Sequence, residues 1–141
     1  MIQKILPCHL DMIFEAEKEC FLDYYSYETL SSEINSHPFI GFMEFDGALK
    51  GYILASAVLD QADIDKVAVK QAYRNQNIAT SLINALEEAL KSQGVKQVFL
   101  EVRRSNAPAI NLYSKSGYGK ISERKNYYGG VEDALIFKKD L

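Results

Sequence analysis

The stretch Val67–Leu86 constrains the fold of this chain more than any other. It reads as the end of a buried strand, Val67-Ala68-Val69, then a short polar turn, Lys70–Asn77, then the first turns of an amphipathic helix. Apolar residues at Ile78, Leu82, Leu86 and Leu90, joined by Ile83, Ala85 and Ala89, recur at helical spacing. Such a strand–turn–helix unit also brings unpaired N–H groups and the positive end of a helix dipole to one place. That geometry binds phosphate-like anions. On these residues alone, an ordinary connection with nothing bound is an equal alternative.

The rest of the chain supplies the elements around this unit. Ile2–Leu6 is a short strand candidate ending at Pro7. From His9 to Phe21, the positions Leu10, Ile13, Phe14 and Phe21 predict an amphipathic helix, with Glu15, Glu17, Lys18 and Glu19 mostly outward. Ser26 is placed to cap a second helix, Tyr27–Asn35, with Tyr27, Leu30 and Ile34 inward, and Ser36-His37-Pro38 stops it. Phe39–Phe45 and Leu49–Leu59 read as two strands joined at Asp46-Gly47, a strong hairpin signal. Asp60–Asp65 is a polar bend or the start of the next strand. Beyond the long helix, Gly94 is a C-terminal cap and Glu87/Lys91 a favourable i,i+4 pair. Val95–Val102 is the most apolar strand. Ser105-Asn106-Ala107-Pro108 opens another helix, with Pro tolerated in its first turn, and the helix ends near Gly117. Tyr118–Tyr128, Gly129-Gly130 and Val131–Lys138 form a closing hairpin. The order β-α-α-β-β-β-α-β-α-β-β predicts an α/β fold, helices packed on a mixed sheet, as one domain over residues 1–141.

Composition narrows the function. A chain of 141 residues has the size of one domain and buries a real core. Its formal net charge of −3 argues against a nucleic-acid binder that relies on a basic surface. Cys8 and Cys20 make no disulfide framework, and there is neither a signal peptide nor an apolar run of membrane length. Reduced thiols in a cytoplasmic protein, away from membranes, are the expectation. His9 and His37 lie far apart without partners at ligand spacing, so no metal site is expected.

Two residues in the second half are chemically placed. Glu101 interrupts an apolar strand at its C-terminal end, the edge where α/β sheets present ligands, although a merely solvated carboxylate fits the pattern as well. Asn106 and Tyr113 lie seven residues apart on one helix and share a face. Taken alone, Tyr113 is more simply a core aromatic.

Two sets of motifs carry a resemblance. Tyr73-Arg74-Asn75-Gln76-Asn77-Ile78-Ala79 resembles the pyrophosphate loop of the GNAT N-acetyltransferase superfamily, whose pattern is Gln/Arg-x-x-Gly-x-Gly/Ala. Arg74 and Ala79 match, while Asn77 stands where the family prefers Gly. Asn is among the residues that best tolerate the left-handed region, so the loop conformation is expected to survive. Leu100–Arg103, Ser105–Tyr113, Ser116-Gly117-Tyr118, Arg124–Tyr128 and Glu132-Asp133-Ala134 are similar to the RimI-type branch, whose members acetylate the N-terminal alanine of a ribosomal protein. The element order is also the GNAT order over nearly the full chain. Two departures stand out. Thr80 occupies a position where that branch often has a basic residue, and Phe21–Ser26 is longer than the branch's Phe-Pro-Trp-Ser and lacks the Trp.

The resemblance implies a mixed, mostly antiparallel seven-stranded sheet with about four helices, and acetyl-CoA as acetyl-donor cosubstrate. It implies that Val67, Ala68 and Val69 line the acetyl and pantetheine arm. Arg74, Asn75, Gln76, Asn77, Ile78, Ala79 and Thr80 would hold the pyrophosphate, and Asn106 would contact the cofactor. Glu101 becomes the base and Tyr113 the acid. Tyr25, Tyr127 and Tyr128, in the segments Tyr24–Tyr27 and Asn126–Asp133, would flank an acceptor peptide; for the last two, cross-strand packing is an equal alternative. Glu132 and Asp133 would pair with a cation there or simply be solvated.

Acetyl transfer to an amine needs the neutral amine. A chain α-amino group titrates near ~7.7–8.0 against ~10.4 for Lys, so it costs about 3.4 kcal/mol less to deprotonate. One carboxylate, directly or through water, suits that task. Backbone donors of Val67–Val69 can meet the thioester oxygen as it gathers charge, and a phenol at Tyr113 can supply a proton to the departing thiolate. The expected acceptor is a peptide or protein N-terminus, such as that of a ribosomal protein, with the enzyme a monomer or weak dimer. A small-amine acetyltransferase and a non-catalytic acyl-CoA-binding module are the alternatives.

Overall fold

The computed structural model describes residues Met1–Leu141. Its elements are β1 (Ile2–Lys4), α1 (Leu10–Cys20), α2 (Tyr27–Ile34), β2 (Phe39–Phe45), β3 (Leu49–Val58), β4 (Gln61–Val69), α3 (Ile78–Ser92), β5 (Gln97–Arg103), α4 (Ala107–Lys115), β6 (Gly119–Tyr128) and β7 (Glu132–Asp140). All seven strands form one sheet in the order β1-β2-β3-β4-β5-β7-β6. Every pairing is antiparallel except β4 with β5. The seven strands and four helices follow the expected order.

Two apolar clusters, one on each face of the sheet, hold the layers together. On one face Leu82, Ile83, Leu86 and Leu90 of α3 are fully buried against Ile53, Ala55, Ala62 and Val98. Each buried side chain of that size contributes about 1.5–3 kcal/mol. Tyr113 and Tyr118 close the same cluster. On the other face, Leu10, Ile13, Leu30 and Ile34 of α1 and α2 pack on Met43, Tyr52 and Leu54. Ser26 caps α2 as its position predicts, accepting a hydrogen bond from the Thr29 N–H at 3.1 Å.

Several local expectations are corrected. β1 stops at Lys4 rather than Leu6, although the Ile5 N–H still reaches the Gly41 carbonyl at 2.9 Å, and the apolar strand is Gln97–Arg103 rather than Val95–Val102. Of the two alternatives for Asp60–Asp65 the strand start holds, with Asp60 in the turn and β4 beginning at Gln61. Tyr27, expected inward, is 41% exposed, its hydroxyl donating to Asp11 at 2.7 Å. Glu17, expected outward, is fully buried. Glu87 bonds Tyr118 and Lys139, each at 2.8 Å, instead of pairing with Lys91. Both glutamates lie at helical spacing with buried apolar residues, Glu17 four after Ile13 and Glu87 four after Ile83, so their charge and not their position suggests solvent. Residues far away in sequence supply the partners that keep them buried.

Two features of β4 create the site. Leu54 pairs with Lys66 and Ala55 with Ile64, so Asp65 is an extra residue, a β-bulge. Pairing of β4 with β5 ends at Ile64 and Leu100, and beyond that point the two parallel strands part. Gly51 lets this region close up beneath α3, since a Cβ there would meet the Ala68 carbonyl oxygen at 2.7 Å.

Candidate active site

The parted end of β4 offers unspent backbone donors. The Lys70 N–H donates to Lys50 of β3 at 2.9 Å. Antiparallel alternation therefore turns Val67 and Val69 away from β3, into the opening beside β5. The Val69 carbonyl accepts from the Arg74 Nε at 3.1 Å, which folds the arginine against the strand end. Asn77 then adopts the left-handed conformation, φ 61° and ψ 21°, as expected of the residue in the glycine position. Its side chain caps nothing, so the first amides of α3 are left without partners at the positive end of a 15-residue helix.

A cleft of about 490 Å³ lies at this place. Of the residues expected to hold a cofactor, Val67, Ala68, Val69, Arg74, Asn75, Asn77, Ile78, Ala79, Thr80 and Asn106 line it. Gln76 does not; it is exposed at the outer side of the turn. Asn106 also caps α4, accepting from the Ala109 N–H at 3.2 Å. Cys20, Phe21, Tyr73, Pro108, Ala109 and Leu112 complete the lining, none of them among the residues expected to hold a cofactor. The cleft fits an elongated anionic group: uncapped helix amides and Arg74 at one end, apolar walls and strand donors along the other.

A second cleft, of about 850 Å³, opens on the sheet face that carries α1 and α2. Glu101 lines it, together with Tyr25, Tyr127 and Tyr128. Those four predicted residues are thus brought together, apart from the first cleft. Three further carboxylates face the same space, Glu33, Asp63 and Asp65, while Arg124 is the basic residue of the lining. Arg124 lies 3.5 Å from Glu101 and stacks on the Tyr127 ring. Burial, then the neighbouring Asp65, pushes the Glu33 carboxyl well above the usual carboxylate range. Burial and the charge of Glu101 do the same, in direction, to Asp63. Asp63 follows from strand alternation opposite Ile64, but Asp65 reaches the cleft through the bulge, which no sequence periodicity announces.

Tyr127 and Tyr128 pack edge to face, their ring centroids 5.2 Å apart. They end an irregular part of β6, the edge strand, where the register with β7 jumps between Arg124 and Tyr128. Asp133 fixes this bulged segment by accepting from the Asn126 N–H at 2.9 Å, and Glu132 accepts from the Ser105 N–H at 2.9 Å. These two acids hold the hairpin rather than stand free, and their hydrogen bonds lower both carboxyls below the usual range. Tyr113 lines neither cleft. Its ring is buried against Tyr118, and burial raises its phenol to about 12.

Fold and site together define a class. The acetyltransferase (GNAT) family model matches residues 8–118, and the chain belongs to that family, as an acetyl-CoA:amine N-acetyltransferase. Among individual relatives, the chain is 35% identical over 130 residues, 90% of its length and 86% of the relative's, to a putative ribosomal protein bS18-alanine N-acetyltransferase of Bacillus subtilis. It is 32% identical over 141 residues, 96% of this chain and 97% of the other, to the ribosomal protein bS18-alanine N-acetyltransferase of Haemophilus ducreyi. The crystal structure of the ribosomal-protein-S18-alanine N-acetyltransferase from Escherichia coli superimposes with a TM-score of 0.92 at 29% identity, covering 99% of this chain and 92% of that one.

Proposed function

We propose that this enzyme transfers an acetyl group to the α-amino group of a protein N-terminus, with the terminal alanine of a ribosomal protein as acceptor. The observation that carries this reading is the arrangement of the two clefts. One, built on anion-binding amides and strand donors, suits the donor; the other, open and acidic, suits an incoming ammonium. They lie on either side of the point where β4 leaves β5. The names of the relatives point to the same acceptor class.

In this mechanism the amides of Ile78, Ala79 and Thr80 hold the diphosphate of acetyl-CoA, with Arg74 beside them. Bound acetyl-CoA supplies the activated acyl group. The Val67 and Val69 N–H groups point to where the acyl oxygen gains charge. Glu101 takes the proton from the acceptor ammonium, directly or through water, and Arg124 keeps its carboxylate turned into the cleft. Tyr113, one residue past Leu112 of the donor-cleft wall, is assigned the proton for the departing sulfur, since burial favours its neutral phenol at neutral pH. Tyr127 and Tyr128 offer rings and hydroxyls to the entering peptide, and Tyr25, held by Lys66 and Asp65, forms part of the wall beside it.

The deciding experiment compares acceptors at saturating acetyl-CoA: peptides beginning with Ala, the same peptides with a blocked α-amine and a free Lys, spermine, and free amino acids. Acetylation of the α-amine at a kcat/KM far above all others is expected. Preference for spermine or free amino acids would replace this reading with a small-amine enzyme.

A further inference from the structure

Glu17 is a charged side chain on the buried face of α1, four residues after Ile13. It lies within α1 with no exposed surface, yet it carries a carboxylate. One oxygen accepts from the Tyr52 hydroxyl at 2.5 Å, and the other from the Lys66 ammonium at 2.5 Å and the Tyr25 N–H at 2.8 Å. A buried ion pair of this kind is often no more stable than apolar side chains of equal size. Stability alone therefore does not account for it, and what it touches suggests another role.

Tyr52 belongs to β3, Lys66 follows the bulged Asp65 on β4, and Tyr25 lies in the connection between α1 and α2. Tyr25 is gripped three ways. Its N–H is held by Glu17, its ring lies 3.7 Å from the Lys66 ammonium, and its hydroxyl donates to Asp65 at 3.0 Å. The Phe21 ring covers the same ammonium at 4.1 Å. Phe21 lines the donor cleft and Tyr25 the acceptor cleft. One carboxylate–ammonium pair thus anchors the strip of chain that separates the two.

We propose that Glu17, acting with Lys66, is a positioning residue for acetyl transfer: it fixes the Phe21–Tyr25 strip against the β4 bulge and so sets how the acceptor sits, without touching the reacting atoms. The proposal rests on the reading of the acidic cleft as the acceptor site. Its geometric part, that Glu17 immobilises Tyr25, stands apart from that reading.

The test replaces the whole polar cluster with apolar side chains, Glu17→Met, Tyr52→Phe and Lys66→Met together, so that no buried charge is stranded. Three quantities are read: amide hydrogen exchange at Tyr25, the calorimetric Kd for acetyl-CoA, and KM for an N-terminal Ala peptide. The expected result is a folded protein whose Tyr25 amide exchanges at least about tenfold faster, having lost its acceptor. Acceptor KM should rise about tenfold, as small misplacements of a binding wall do, with acetyl-CoA Kd changed less than about threefold. A folded triple variant with wild-type exchange at Tyr25, or with wild-type acceptor KM, overturns the proposal. Should the triple variant not fold, Glu17→Gln keeps an oxygen for Tyr25 but removes the charge facing Lys66; an unchanged acceptor KM in that variant overturns it equally. Wild-type protein that acetylates no peptide defeats the acceptor reading instead, while the exchange measurement still decides whether Glu17 holds Tyr25.

Discussion

Asn77 offers the sharpest quantitative test of the donor cleft, because its backbone angle and its ligand role are separable. At φ 61° it holds a conformation that costs an ordinary L-residue about 1–2 kcal/mol, less for Asn, whose short polar side chain bonds locally. Asn77→Ala should therefore cost about 1 kcal/mol, since Asn already carries part of the strain. Where that cost falls depends on whether the turn can relax in the free protein. If it cannot, the folded state bears the strain and Tm drops by about 3 °C for a chain of this size. If it can, Tm stays put and acetyl-CoA must restore the turn, which weakens Kd about fivefold. The two losses, expressed as free energies, should sum to about 1 kcal/mol however they divide. Asn77→Gly, free of the steric penalty, should show neither loss beyond a few tenths of a kcal/mol from added freedom in the unfolded chain. Scanning calorimetry and titration calorimetry on the three proteins measure both terms. Wild-type Tm together with wild-type Kd in Asn77→Ala would refute the link between the left-handed turn and the anion site.

Glu101→Gln should lower kcat by about a hundredfold with acetyl-CoA Kd unchanged, and its deficit should deepen at pH below the acceptor amine's pKa; a parallel pH–rate profile would remove the base from this residue. Tyr113→Phe should reduce turnover without altering cofactor affinity. With its phenol raised to about 12, Tyr113 should add no alkaline limb below pH 10, and such a limb vanishing in the Phe variant would contradict the buried-acid assignment. Glu33 binds its proton more tightly folded than unfolded, so its contribution to stability falls as pH rises from the ordinary carboxylate range toward the raised folded value. Glu33→Gln should accordingly stabilise the protein on the order of 1 kcal/mol at pH 8.5 and little at pH 5. Melting curves at the two pH values check it, and equal shifts at both would count against the raised carboxyl.

Much of this molecule is readable from local pattern, and the unread part has a common cause. Ser26, Asp46-Gly47, Gly94 and Asn106-Ala107-Pro108 announce element ends because caps and turns are short-range chemistry. The donor loop is legible for the same reason: Arg74 to Thr80 are contiguous, and only Gln76 falls outside the cleft. The acceptor side is assembled from four separate stretches, around Tyr25, Asp63, Glu101 and Tyr127. Its members Glu33 and Asp65 arrive through helix packing and a bulge, neither of which leaves a period in the sequence. Glu17 and Glu87 escaped for a related reason. A glutamate flanked by helical polar residues looks solvated until Lys66 or Lys139, some fifty positions away, is known to face it.

The linings of the two clefts share not one residue, although β4 and the α1–α2 connection contribute to both. On the proposed reading, substitutions at Glu33, Asp63 or Tyr127 should change the choice of acceptor while the grip on the acyl donor stays intact. A scaffold divided in this way lets one wall be altered without disturbing the other.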